Sequence, residues 1–237
     1  MPPPIFLENC SMLDSLIEFS PFLMKGVWIT IALSLTSVAL AVVFGAIGAT
    51  LKMSDSAHFR AIGTTYTTLI RGVPDLVLML IIFFGGQVLL NSIGNSTGLW
   101  NRVNVNQFFA GSFSIGFIFG SYMAEAFRAA YLTIPKGQID AAKAYGMRPS
   151  VWLREIVWPQ FVPLVLPSFT NNWLILMKTT ALVSIIGLPD LTFTAQQAGR
   201  TSREPFVFLF AAFLIYLGLT LISEVGLKAL NRHYRRP

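Results

Sequence analysis

The sequence predicts an all-α membrane protein of about five spanning helices, and three observations carry that expectation. Of the 237 residues, 54% are hydrophobic and only 12% are charged, where a soluble domain carries about 25% charged residues. Mean hydropathy is +0.64. The apolar residues gather into five runs long enough to cross a bilayer, which takes roughly 20 mostly apolar residues per helix. The cations lie at the ends of those runs, as topogenic signals do.

In chain order, residues 1–25 open on Met-Pro-Pro-Pro and carry Glu8, Asp14 and Glu18. They have no basic stretch ahead of an apolar core, so they do not form a cleavable signal. Phe6, Leu13, Leu16 and Ile17 beside Asp14 and Glu18 fit either a short amphipathic helix on the membrane surface or an unstructured tail. The first span runs over 27–51. The second, over 69–90, starts in Arg71-Gly72-Val73-Pro74, where a proline near a helix start is tolerated. A third span covers 108–132. The fourth, over 161–188, carries Pro163 and Pro167 in its first turns and is expected to be irregular there. The last covers 206–227. Segments 91–107 and 189–205 are polar and are expected to be loops.

The cations orient the bundle. Lys52, Arg60, Arg71, Arg128, Lys136, Lys143, Arg148, Arg154, Lys228, Arg232, Arg235 and Arg236 fall on one side. Lys25, Arg102, Arg200 and Arg203 fall on the other, and Lys178 lies within the fourth span. The bias puts the N-terminus in the periplasm and the C-terminus in the cytoplasm. The net charge of +6 therefore speaks of membrane insertion, not of nucleic acid. A lone Cys10 excludes an internal disulfide, and His58 and His233 are too far apart to suggest a metal site. No phosphate loop and no Ser/His/Asp or Cys/His arrangement is legible. The chain is expected to have no catalytic residues, metal or cofactor of its own. Nor does it show the internal repeat of many secondary transporters, which argues against an ATP-independent carrier or channel.

Polar residues inside spans are costly and normally face a bundle interior or water. Arg71 and Asp75 are four apart at the start of the second span, and Glu125 and Arg128 are three apart in the third. Each pair would lie on one helix face and neutralise itself. Asp75 is equally open to facing a cationic solute. The fourth span carries Asn171, Asn172, Lys178, Thr179 and Thr180. Asn172 and Thr179 are seven apart and share a face, which suits a solute pathway or hydrogen bonding between helices.

One block stands apart from the greasy remainder. Residues 134–160 hold two short helical patterns that meet at Gly146, with Asp140-Ala141-Ala142 before it and Ile156 and Pro159 behind. Orientation puts the block in the cytoplasm. Its spacing resembles the cytoplasmic loop of permease subunits from bacterial ATP-binding-cassette (ABC) importers: Glu-Ala-Ala, three residues, Gly, nine residues, Ile, one residue, Leu-Pro. Asp140 stands for the Glu and Trp158 for the Leu. Further stretches are similar to polar amino-acid permeases: Thr67–Leu76, Glu125-Ala126-Phe127-Arg128, Ile134–Gln138, Asn171-Asn172-Trp173 and Lys178–Ser184. Together they look most like the Q-type permease of histidine/lysine/arginine/ornithine importers and the related opine systems.

The resemblance implies a type I ABC-importer permease fold, with 1–237 as one permease domain and 134–160 as its coupling-helix loop. It implies that Asp140, Ala141, Ala142, Gly146, Ile156 and Pro159 meet an ATPase. The partners would be an M-type permease, two ATPase subunits holding ATP and Mg, and a periplasmic amino-acid-binding protein. The implied solute is a polar, basic amino acid, with an opine as the alternative. The implied path runs past Asn171, Asn172, Thr179 and Asp75. Relatives that contact a cationic amino acid have a carboxylate at the place of Asn172, and some have one at Thr179. Both are neutral here, while Asp75 stands where many relatives are apolar.

Overall fold

The computed structural model describes residues 12–234. They fold into a helical bundle without strands among the described residues. Helix α1 is Met12–Lys52, α2 Ala57–Gly72 and α3 Asp75–Thr97. Helix α4 is Gln107–Thr133 and α5 Lys136–Ala144. They are followed by α6 Pro149–Ile186, α7 Leu191–Ser202 and α8 Pro205–Tyr234.

Helix α4 is the axis of the bundle. Its Ile115, Ile118, Phe119 and Met123 share one core with Leu33 and Ala41 of α1, Met79 of α3, and Leu176 and Val183 of α6. The α1–α4 seam is tight because it is lined with small residues, which let membrane helices approach closely. A Cβ on Gly116 would lie 2.5 Å from Leu40 Cβ, and one on Gly45 2.5 Å from Met123 Cβ. The hydroxyls of Thr36 and Ser112 bond across the seam at 3.0 Å. The expected third span, 108–132, thus matches α4 to within one residue at each end. Asn106 caps it, its side chain accepting the Phe108 N–H at 2.8 Å.

Three helices are long and apolar enough to cross a membrane: residues Asp14–Lys52, α3 and α8. The pair α6 and α7, bent by 52° at their junction, would add a fourth. Helix α4 is long enough, at about 40 Å. Its hydropathy is diluted by serines and glycines, most of them buried against neighbouring helices. Against the five runs read from the sequence, the described residues hold three helices that are both long and apolar enough, or four with the bent pair.

Other expectations are corrected. Residues 12–25 do not form a separate surface helix or tail; they are the start of α1, and Leu16, Phe19 and Leu23 pack beside α7 and α8. Phe6 and Cys10, with Arg235 and Arg236, lie outside the described residues. The second span does not begin at residue 69. Helix α2 ends at Gly72, and Val73 and Pro74 are extended before α3 starts. The residue before a proline is pushed out of the helical region, so the break falls where the chemistry demands it. Segment 189–205 is largely helix, not loop.

Candidate functional site: a docking hairpin and a polar path

The hairpin between α4 and α6 begins with α5, which ends in a Schellman turn. The Met147 N–H donates to the Ala142 carbonyl at 3.0 Å and the Gly146 N–H to the Lys143 carbonyl at 2.9 Å. The turn sets Gly146 at φ +74°, a left-handed conformation open to glycine and costly for other residues. The base of the hairpin is held by Ile134, Ile139 and Val157, with Tyr131, Trp152 and Phe161 against them. Gln160 Nε2 donates to Gln138 Oε1 at 2.6 Å. The Lys143 ammonium lies 5.9 Å from the Trp152 ring centre.

Of the hairpin residues singled out in the sequence, Ala142 is buried and Ile156 half-buried, while Asp140, Ala141, Gly146 and Pro159 are exposed. Asp140 lines a cleft of about 190 Å³ with Tyr131, Lys136 and Lys143. Tyr145 is 89% exposed at the tip, and Trp158 is exposed too. Trp158 holds the motif's Leu position, whereas the motif does not mark Tyr145, yet an exposed aromatic at a turn is what an anchoring contact uses.

Pro159 sits at the start of the α-helical stretch Trp158–Thr179, within the continuous helix α6. Its ring would press on the Glu155 carbonyl, and its missing N–H removes one bond. The turn just before it, Leu153–Val157, is widened to π form, an ordinary site for a bend.

The polar path is less convergent than expected. Asn172 is buried on α6, and its amide donates to Met123 Sδ at 3.8 Å. Asn171 is exposed. Thr179 is half-buried, and its hydroxyl donates back to the Ile175 carbonyl at 3.0 Å. Asn172 and Thr179 share a face but sit two turns apart without a direct bond. Asp75 is half-buried at the first position of α3. It lies one turn before Met79, which packs in the same core as Met123 and Leu176.

The ion pairs differ from those read off the spacing. Glu125 bonds Lys52 of α1 through Oε1; Arg128 is a second partner at 3.9 Å. Lys52 also donates to Thr67 Oγ1 at 3.0 Å, so α1, α2 and α4 meet in one charged node. Arg71 does not pair with Asp75. The break between α2 and α3 removes the shared helix face, and the guanidinium lies over the Tyr122 ring instead, 5.3 Å from its centre.

Beyond α6 the chain turns at Gly187 and enters α7. Asp190 is completely buried, and its Oδ1 caps α7 by accepting the Phe193 N–H at 2.9 Å. Thr30 Oγ1 accepts the Leu191 N–H at 3.1 Å. A Cβ on Gly26 would lie 2.3 Å from Thr194 Oγ1, so α7 is seated directly on α1.

Residues 21–236 match the family model of the binding-protein-dependent transport system inner membrane component. The histidine/lysine/arginine/ornithine transport system permease protein HisQ of Salmonella typhimurium is 43% identical, covering 91% of this chain and 94% of its own. The nopaline transport system permease protein NocQ of Agrobacterium fabrum is 37% identical, covering 87% and 89%. Among solved structures, a chain of an amino acid ABC transporter superposes with a TM-score of 0.79 at 27% identity, covering 95% of this chain and 100% of its own.

Proposed function

Because this chain belongs to the family of binding-protein-dependent transport system inner membrane components, we propose that it is the permease subunit of an ATP-driven importer of polar, basic amino acids of the histidine, lysine, arginine and ornithine kind. It is an all-helical inner-membrane protein with the type I ABC-importer permease fold. The chain is one permease domain, and its bundle crosses the membrane five times: α1, the broken pair α2 and α3, then α4, α6 and α8. The N-terminus is periplasmic and the C-terminus cytoplasmic. That orientation is supported by the cation bias, and it sets the Lys52–Glu125 node and the hairpin on the cytoplasmic side.

A second, M-type permease completes the translocation path. Two ATPase subunits carry ATP and Mg and receive the hairpin, and a periplasmic amino-acid-binding protein delivers the solute. Asp140, Ala141, Ala142, Gly146, Ile156 and Pro159 belong to the coupling surface, with Tyr145 added as an exposed anchor. Asn172, Thr179, Asp75 and Asn171 line the path. The observation that carries the reading is the hairpin: a Schellman-turned pair of arms on an apolar base, with a polar, aromatic tip in solvent. A structural connection needs no such exposed tip.

The test is substrate-stimulated ATP hydrolysis by the assembled complex. Gly146→Arg is expected to abolish stimulation by arginine, lysine or histidine while the chain still inserts and assembles. Normal stimulation in that variant would sink the coupling assignment. A second reading, an opine importer, is favoured by the likeness to the nopaline permease. Uptake of nopaline, with none of arginine, lysine or histidine, would establish it instead.

A further inference from the structure

Arg71 closes α2 and Asp75 opens α3, on either side of the break at Val73 and Pro74. Both act electrostatically on Tyr122 of α4, and the guanidinium lies over that ring. The depth of this group follows from its neighbours. Thr67, one turn before Arg71, bonds Lys52, and Glu125, one turn beyond Tyr122, bonds the same lysine. The Arg71–Tyr122–Asp75 group therefore sits about one helical turn deeper in the bundle than the charged cytoplasmic node. Met123, next to Tyr122, receives the Asn172 amide, so the group borders the proposed path.

Two features of this spot favour a positive charge. The face of Tyr122 attracts cations, and the Asp75 carboxylate is half-buried. The negative end of the α2 dipole and the positive end of the α3 dipole meet at the break and offset each other. The chain's own cation there is Arg71, exposed and followed by Gly72, also exposed. A Cβ on Gly72 would meet nothing within 4 Å, so the backbone beside Arg71 is not wedged.

We propose that Arg71 is a resident stand-in for the solute: its guanidinium fills, between transport events, the subsite that the cationic side chain of the transported amino acid takes as it passes. The proposal rests on reading the solute as a basic amino acid. Lying over the Tyr122 ring, the stand-in keeps the subsite filled while the path is empty and repels small cations that would otherwise leak. An arriving arginine or lysine side chain offers the ring and the carboxylate the same chemistry, and Arg71 swings toward solvent.

The experiment measures equilibrium binding of labelled arginine and of glutamine to the whole complex in nanodiscs, without the binding protein. Removing the internal competitor in Arg71→Gln is expected to tighten arginine binding about fivefold, a cation–π-sized effect, and to leave glutamine unchanged. Tyr122→Leu weakens arginine binding, and Tyr122→Phe retains it because the ring face remains. Unchanged or weaker arginine binding in Arg71→Gln overturns the proposal. If that variant does not assemble, Arg71→Met decides: tighter arginine binding supports the stand-in, and unchanged affinity overturns it. Stimulation of the wild-type complex's ATPase by arginine, lysine and histidine is measured alongside. If arginine, lysine and histidine all fail there, the basic-substrate reading falls by itself and takes the stand-in with it; success there with no effect in the Arg71 variants removes the stand-in alone.

Discussion

At Gly146 the backbone, and not space, sets the requirement. The residue holds φ +74°, and nothing lies within 4 Å of where a Cβ would stand. Asparagine tolerates the left-handed region far better than branched residues do. Gly146→Asn is therefore expected to keep most of the stimulated ATPase activity that Gly146→Arg abolishes; loss in both would mean that the docked partner fills the open space. Lys52 poses a different question, because it joins three helices with a side chain only 13% exposed. Breaking a fully buried pair costs about 3–5 kcal/mol. Here Arg128 stays within 3.9 Å of Glu125, so Lys52→Met is expected to cost about 2 kcal/mol. Thermal unfolding of the detergent-solubilised protein would register it as a lowered midpoint, and an unchanged midpoint would show the node to be idle. The spacing of Glu125 and Arg128 pointed to a pair within one helix; the dominant partner is 73 residues away and no local pattern marks it.

At the scale of elements, α7 shows what polarity conceals. Its segment is mixed and charged enough to suggest a loop, yet Leu191, Ala195 and Ala198 lie at helical spacing and are all buried. Asp190 before them is a favourable N-cap. Those two signals were legible; the seat on Gly26 and Thr30 was not, because it depends on where α1 passes. Asp190→Ala is expected to cost about 1–2 kcal/mol by loss of the cap and to raise hydrogen exchange across Leu191–Ser202. Asp190→Asn keeps an acceptor and should exchange more slowly than the alanine variant. Equal protection in wild type and Asp190→Ala would show that α7 is held by its apolar face alone. The break at Val73 and Pro74 carries the same lesson. The proline was visible, but α2 ahead of it, rich in Thr and carrying His58, Arg60 and Arg71, did not look like part of a bundle. It is held there by contacts from other helices: Lys52 on Thr67, and Tyr66, whose hydroxyl donates to the Phe117 carbonyl at 2.6 Å.

For the whole molecule, burial runs opposite to hydropathy. The central helix α4 is diluted by Ser and Gly, whereas α3 and α8 turn apolar faces outward, including Val88, Ile222 and Val225. Surfaces of that kind need lipid or another subunit against them. Segment lengths and helix type were legible because the bilayer imposes them on composition. Which helix is central was not, since burial in protein and burial in lipid ask for different residues. Orientation can be tested directly, because Cys10 is the sole cysteine. In a Cys10→Ser background, a cysteine at Ser96 is expected to react with an impermeant maleimide from the periplasmic side. One at Tyr145 should react only after permeabilisation, and the reverse pattern would invert the bundle.

The uninterrupted run of α6 has a mechanical consequence. The second arm of the hairpin and the helix that carries Asn172 are one rod, Pro149–Ile186, about 55 Å long. No loop lies between them to absorb displacement. A shift imposed on residues 149–152 reaches Asn172 as tilt and rotation of a lever, and the soft joints on the way are the π turn at Leu153–Val157 and the prolines at 163 and 167. Stroke and fulcrum are thus set by where those joints fall along the rod, and stiffening them would lengthen the throw at the far end.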